Sequence, residues 1–447
     1  MRRPHRRIET QLTVVGTGIA GFAAALFARA RGLDVAQVGH SGALAYTTGY
    51  LDLLGVADGR KIADPWAGLD ALRMTEPGHP FGRLANADIR AALDAFIGEV
   101  NAMGLGYTPA GAANLTALLP YGVTKPTLSL PETMWPGAAA LAERAPALIV
   151  DFAGLQGFSA AEFAANMAAV WPGLATARLA FPGMESLQVF PEPMARALET
   201  RETRAAFVAR LRPHLGAVTH VGLPAILGVH RPDTVRAALE AELGVTLFEI
   251  PTIPPGVPGI RLRELFERHL PGRGVALEPN LKAAEARLDP SGITLALHGP
   301  MEDLDIRAEA VVLATGRFLS GGLRAERSGI RETLFGLPVA QPDGREAWFR
   351  PAYFDPRGHP VNRLGLTVDD RFRPLDAAGA PVHPRLHAAG AVLAGQDWAR
   401  SRSGAGLAIA SAWAAVNAAG AELGSSPGDP GPTTAPGAAP AQEPGTA

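Results

Sequence analysis

Residues 12–30 read LTVVGTGIAGFAAALFARA: an apolar run, then Gly16, Thr17, Gly18, Ile19, Ala20 and Gly21, then an Ala-rich stretch. The order of strand, G-x-G-x-x-G and helix is what a βαβ nucleotide-binding turn requires. The first glycine lets the chain turn tightly, the second lets a phosphate approach the backbone, and the third lets helix and strand pack closely. The helix then presents its N-terminal N–H groups and positive dipole end to the phosphate. With 51 glycines in the chain the pattern alone is weak, and its position directly after an apolar run is what gives it weight.

The second strand is predicted at residues 33–38. An adenosine-binding version of this unit places an acid about 20 positions on, at the end of that strand, to hold the ribose hydroxyls. Gly39 stands there instead, and Asp34 comes too early to replace it. Phosphate binding by the turn is unaffected, but the usual grip on an adenosine is missing.

Further along, apolar periodicity predicts helices over 84–103, 160–170, 199–211 and 232–243. A buried strand at 147–152 followed by a Gly-containing loop at 153–157 marks a second strand–loop–helix unit. Late in the chain, the apolar run 310–313 ends in Ala314, Thr315 and Gly316. Residues 386–391 then precede Gly404 and an Ala-rich helix to Ala421. Nucleotide-type elements therefore lie at both ends, as in two-domain flavoproteins whose substrate domain is inserted into the flavin domain. The expected fold is α/β, a Rossmann-like two-domain flavoprotein with an inserted second domain. Its flavin-binding segments are 8–60 and 256–423, its inserted substrate or cap region is 61–255, and 424–447, rich in Pro, Gly and small residues, is a disordered tail.

Composition narrows the function classes. The net charge of −2 points to no nucleic acid, and the absence of cysteine excludes disulfides, thiolate nucleophiles and Cys-ligated iron–sulfur clusters. No uninterrupted apolar run reaches about 18 residues, and the basic start lacks the apolar stretch of a secretory signal. A cytoplasmic protein is expected.

Several segments follow one another in a specific order: TGYLDLL at 48–54, LFEIPTIPPGVPGIRL at 247–262, VLATGRFLSGGL at 312–323, ERSGIRE at 326–332 and LFGL at 334–337. With them, the chain from about residue 12 to 421 resembles the B-subunit family of anaerobic glycerol-3-phosphate dehydrogenase. The resemblance implies a flavin-dependent dehydrogenase that works in a complex and oxidises sn-glycerol 3-phosphate to dihydroxyacetone phosphate. It implies FMN in this polypeptide, with FAD as the alternative, and a sister catalytic polypeptide that contains FAD. An iron–sulfur, membrane-anchoring polypeptide would pass electrons to quinone and hold the complex peripherally at the inner face of the cell membrane. A non-catalytic electron-transfer or assembly role in the same complex is the alternative. One departure is Ala391 after Gly390, where such flavoproteins often carry an Asp for the ribityl chain.

Candidate cofactor-binding residues are Gly16, Gly18, Gly21, Thr48, Gly49, Thr315, Gly316, Gly390 and Gly404. Arg261 and Arg331 lie inside the resembling segments and are the candidate clamps for a substrate phosphate, because a guanidinium donates two parallel charge-assisted bonds. For the base that takes the hydroxyl proton, His79 in the rigid Pro77-Gly78-His79-Pro80 loop is the candidate, since an imidazole titrates near neutral pH.

Overall fold

In the computed structural model, residues 4–39, 43–185 and 188–424 are described. The tail expected at 424–447 lies, apart from Gly424, outside them. Along the chain come β1 (His5–Val15), α1 (Ile19–Ala30), β2 (Val35–Val38), α2 (Asn86–Ala102) and a hairpin of β3 (Leu115–Leu119) with β4 (Val123–Thr127). Next are β5 (Ala147–Phe152), α3 (Ala160–Met167), β6 (Ala175–Leu179), α4 (Arg201–Leu211), β7 (His220–Pro224), α5 (Pro232–Leu243), β8 (Thr246–Ile250) and α6 (Val257–His269). The last part holds β9 (Val275–Glu278), β10 (Lys282–Asp289), β11 (Gly292–His298), β12 (Asp303–Leu313), the hairpin β13 (Leu323–Glu326) with β14 (Gly329–Glu332), β15 (Leu386–Ala388) and α7 (Gly404–Glu422).

The first sheet runs β9-β2-β1-β12-β11-β10, with β15 also on β12. Strand β12 explains how one sheet holds two patterns. One edge pairs in parallel with β1. On the other edge its first half pairs antiparallel with β11 and its last residues pair in parallel with β15. The parallel strands are buried on both faces, as β2 shows from Val35 to Val38, so they need cover on each side. α1 and α7 pack together against this sheet, with Phe27 edge-on to Trp413 at 4.9 Å and Phe22 stacked on Phe266 of α6 at 4.5 Å.

Helix α7 is long and apolar enough to cross a membrane, a property not evident from the uninterrupted apolar runs, but two-thirds of it is buried inside the protein. Ala and Gly allow that burial, because they let α1 and the sheet approach its axis closely.

The middle of the chain contains more than the single strand–loop–helix unit expected from the sequence. It builds a second, wholly parallel sheet in the order β8-β7-β5-β6. Chain direction across this sheet reverses between β5 and β7, the flavodoxin-like order. Its own apolar core draws on residues from Ala117 to Ile260, with Ala45 and Tyr50. By contrast, Leu69, Phe81 and the buried face of α2 belong to the core of the first sheet although they fall within the span 61–255. The reason is visible in α2, whose Ile89, Leu93 and Phe96 are buried and which packs on α7.

One helix serves both cores. Val257 and Ile260 of α6 lie in the second core, and Leu262, Leu265 and Phe266 lie in the first. A Cβ on Gly259 would stand 2.3 Å from the Leu44 carbonyl oxygen, so the loop after β2 rests directly on the helix backbone. The Gly256 N–H donates to Ala45 O at 2.9 Å and ties the start of α6 to the same loop.

Candidate flavin site

The parallel strands of the first sheet deliver three turns to one edge. Gly16 N–H donates to Val38 O at 2.8 Å, Ala314 N–H to Val15 O at 2.8 Å and Ala389 N–H to Leu313 O at 3.0 Å. Gly16, at φ +131°, leaves no space for a side chain, since a Cβ would stand 2.2 Å from Ala314 O. A Cβ on Gly21 would stand 2.1 Å from Gly16 O, so α1 rests on the turn backbone to backbone. At Gly18 the situation is opposite: none of the described residues lies within 4 Å of the Cβ position. Gly18 is the N-cap of α1, no side chain among the described residues caps that helix, and its first turn carries no acid. An open cradle in front of uncapped helix amides is chemically an acceptor for an anionic oxygen. These residues fit a flavin phosphate.

Around this centre, Gly390 (φ +78°) abuts Ala20 in the first turn of α1, and its N–H donates to Ser411 Oγ of α7 at 2.9 Å. Gly316 (φ +67°) shapes the turn after β12, while the Thr315 hydroxyl is turned against Gly322 of the neighbouring loop. Gly404 begins α7 seven residues before Ser411, about 10 Å along the helix. Trp398 packs beside Gly404. Thr48 and Gly49 lie in the loop after β2. Thr48 Oγ accepts from Tyr50 N–H at 3.4 Å, and Gly49 is wedged against Pro258 while its carbonyl accepts from the Tyr107 hydroxyl at 2.7 Å. Main-chain contacts thus form two groups, one at the α1 turn and one at the start of α7. The latter adjoins the Thr48 loop through Gly406 N–H, which donates to Asp52 O at 2.7 Å.

The charged candidates behave differently. Arg261 on α6 is 2% exposed and fully engaged: Nη1 and Nη2 bond the two Glu249 oxygens at 2.6 and 2.8 Å, and Nε bonds Gly228 O at 2.8 Å. Glu249 also accepts from Leu227 N–H and the Thr133 hydroxyl, both at 2.6 Å. Arg261 is therefore an anchor of the second core, its bidentate fork taken by Glu249 and not by a substrate phosphate. Arg331 sits on β14, half-exposed, and pairs with Glu326 at 2.6 Å across its hairpin.

His79 is not placed to act as a base. It is buried, its Nδ1 accepts from Phe81 N–H at 3.1 Å, and its ring stacks on Phe81. With Nδ1 accepting, the neutral ring carries its proton on Nε2 and offers a donor there. Burial pulls its pKa from 6.5 down to about 4; Glu76 opposes that shift and Arg363 reinforces it.

Two further sets of charged contacts lie close to the site. Asp52 and Lys125, from the loop after Gly49 and from β4, form an ion pair at 2.6 Å where the two cores meet, both nearly buried. Burial holds Asp52 above the usual carboxylate value despite the lowering pull of Lys125. A charge inside the apolar string TGYLDLL was the available signal. Arg317, one residue after Gly316, donates to the carbonyls of Ala391 at 2.7 Å and Gln396 at 3.1 Å, and to that of Asn362. Burial pulls it down to about 10, so it remains a cation and clamps the loop after Gly390.

Comparison with known proteins agrees with this geometry. The FAD binding domain family matches residues 11–407, and the fold and site define a flavoprotein of the oxidoreductase class. A probable B subunit of anaerobic glycerol-3-phosphate dehydrogenase from Halobacterium salinarum is 31% identical over 432 residues, covering 92% of this chain and 98% of the relative. The corresponding B subunit of anaerobic glycerol-3-phosphate dehydrogenase from Vibrio cholerae is 30% identical over 420 residues, covering 91% and 95%. The chain belongs to this B-subunit family of anaerobic glycerol-3-phosphate dehydrogenase.

Two measurements test the charged residues. Arg261→Met strands a buried carboxylate, so urea unfolding is expected to show a loss of about 3–5 kcal/mol, against about 0.5 kcal/mol or less for Arg331→Met. A wild-type midpoint for Arg261→Met would overturn the anchoring role. For His79, the unfolded chain takes up its proton near pH 6.5 and the folded chain only near 4. Its contribution to stability is therefore complete above 6.5 and is lost as pH falls toward 4. The drop in urea midpoint between pH 7 and pH 5 should be smaller in His79→Gln than in wild type; equal drops would refute the assignment.

Proposed function

We propose that this chain is the flavin-carrying subunit of a glycerol-3-phosphate dehydrogenase complex that oxidises sn-glycerol 3-phosphate to dihydroxyacetone phosphate. The observation that carries the reading is the turn at residues 16–21, closed to side chains at Gly16 and Gly21 and open at Gly18, in a chain of this family. The flavin supplies the hydride acceptor. The chain's own residues hold it: the amides and dipole of α1 face the phosphate, the turns at Gly390 and Gly316 flank it, and Thr48, Gly49 and the start of α7 border the far end. FMN is the proposed form, because Gly39 stands where an adenosine ribose would find its acid, and a Cβ there would press on Gly16 and Thr17. FAD, the cofactor of the matched domain family, is the alternative.

The chain has no cysteine, so cysteine-ligated clusters belong to another polypeptide. In the proposed complex the electrons pass to an iron–sulfur, membrane-anchoring polypeptide and on to quinone, beside a sister catalytic polypeptide that contains FAD. The assembly sits in the cytoplasm against the inner face of the cell membrane. A second reading, in which the sister polypeptide oxidises the alcohol and this chain relays electrons or supports assembly, is favoured by the state of the charged candidates. Arg261 is held bidentately by Glu249, Arg331 pairs with Glu326, and the Nδ1 of His79 is taken by Phe81 N–H.

Anaerobic titration of the purified chain separates the readings. Flavin bleached by glycerol 3-phosphate in the chain alone supports the first. Bleaching only after the sister polypeptide is added supports the second, and failure to take up any flavin overturns both. Extracted flavin run beside FMN and FAD identifies the cofactor. Since a Cβ at Gly18 meets nothing, Gly18→Val should fold normally yet lose flavin about tenfold. Undiminished flavin in a folded Gly18→Val protein would refute the phosphate role of the turn.

A further inference from the structure

Residues 348–361 form a loop whose two ends meet, Val361 N–H donating to Trp348 O at 3.1 Å. Trp348 is buried at its base. Inside the loop, a set of polar contacts ties the chain down. Arg350 N–H donates to His359 Nδ1 at 3.1 Å, which leaves the proton on Nε2 to bond Tyr353 O at 2.9 Å. Arg350 Nε donates to Gly358 O at 3.0 Å, and the buried Asp355 takes a bidentate pair from Arg357 at 3.0 and 2.8 Å. This bracing holds the apolar side chains outward. Phe349 is 60% exposed, Tyr353 81% and Phe354 90%, and the last two rings stand edge to face at 4.8 Å.

A solvated loop ordinarily spends its internal bonds on keeping apolar groups in and polar groups out. Here a fixed scaffold displays aromatic rings to water, an arrangement that costs hydration free energy and is recovered only when something covers them. Aromatic residues flanked by arginine, on a backbone already ordered, are the composition and preorganisation of a binding hot spot.

The base of the loop reaches the flavin site. Asn362 O, one residue past Val361, accepts from Arg317, which also holds the carbonyls of Ala391 and Gln396 in the loop after Gly390. Gly358 packs beside Asp397 and Arg400 on the approach to α7. Whatever covers the rings is thereby brought close to the wall of the cofactor site.

We infer that this loop is the docking surface for another polypeptide of the same complex, one offering an apolar socket bordered by carboxylates. The inference rests on the reading of the chain as a working member of a complex, which the naming of its relatives as a B subunit supports. Charge defines the partner's border: residues 349–361 carry two arginines against the single carboxylate of Asp355, which both approach, so the loop keeps one net positive charge, and the Arg357 side chain is two-thirds exposed. The fixed shape of the loop favours a protein socket over a lipid surface, which needs no particular shape.

The test uses the full chain co-expressed with the sister catalytic polypeptide and the iron–sulfur polypeptide, comparing wild type with the double variant Tyr353→Ser/Phe354→Ser. Both side chains are exposed, so the variant should keep wild-type melting temperature and flavin content while its association with the partners weakens about 100-fold. Higher salt should weaken the wild-type complex further. Three results would overturn the inference: unchanged co-purification of the variant, a wild-type homodimer that the two substitutions break, or wild-type chain that floats with phosphatidylglycerol vesicles while the variant does not. Failure of the substrate reading would show separately, in flavin of the isolated wild-type chain that glycerol 3-phosphate does not bleach.

Discussion

Backbone lying directly on backbone at the end of the first strand is the constraint from which the rest of the molecule follows. Gly21 touches Gly16, and Gly16 touches Ala314, with no space for a Cβ at either contact. These approaches bring the start of α1, the exit of β12 and, through Ala389, the exit of β15 to one point. A single methyl group there would push the helix off the sheet and separate the turns. The open position at Gly18 has meaning only because its neighbours are closed.

What was legible in the sequence was local. The glycine turn could be read because each glycine answers to a contact within one βαβ unit. Helix 232–243 could be read to the residue because Pro232 opens it and Gly244 closes it in a left-handed conformation. Strand 147–152 announced itself as an apolar run. The second parallel sheet did not, since its order depends on pairing between strands about 70 residues apart in sequence, as when Leu148 meets Val221. Position 331 illustrates a similar limit: a charge within a specific motif says nothing about which side of a hairpin it occupies.

Arg261 shows where a motif misleads. It was singled out because arginine binds phosphate, yet its partner Glu249 lies in the same segment, and two opposite charges in an apolar string are as consistent with a buried pair. His79 is similar. A rigid Pro-flanked loop did fix its ring, but fixed it by making Nδ1 a cap for Phe81 N–H. Across the candidate flavin site, main-chain groups line the turns while most of the charges hold elements together. Arg317 does both kinds of service at a distance, since the same guanidinium that steadies the loop after Gly390 also steadies Asn362 at the foot of the aromatic loop.

Helix α6 gives the molecule a property neither sheet has alone. Its first turns are part of one apolar core and its later turns part of the other. Loosening the inserted sheet therefore frays a helix that the cofactor sheet needs, and the reverse holds equally. The two cores are continuous through α6, so the inserted sheet is less a lid carried on hinges than a second storey resting on the same beam.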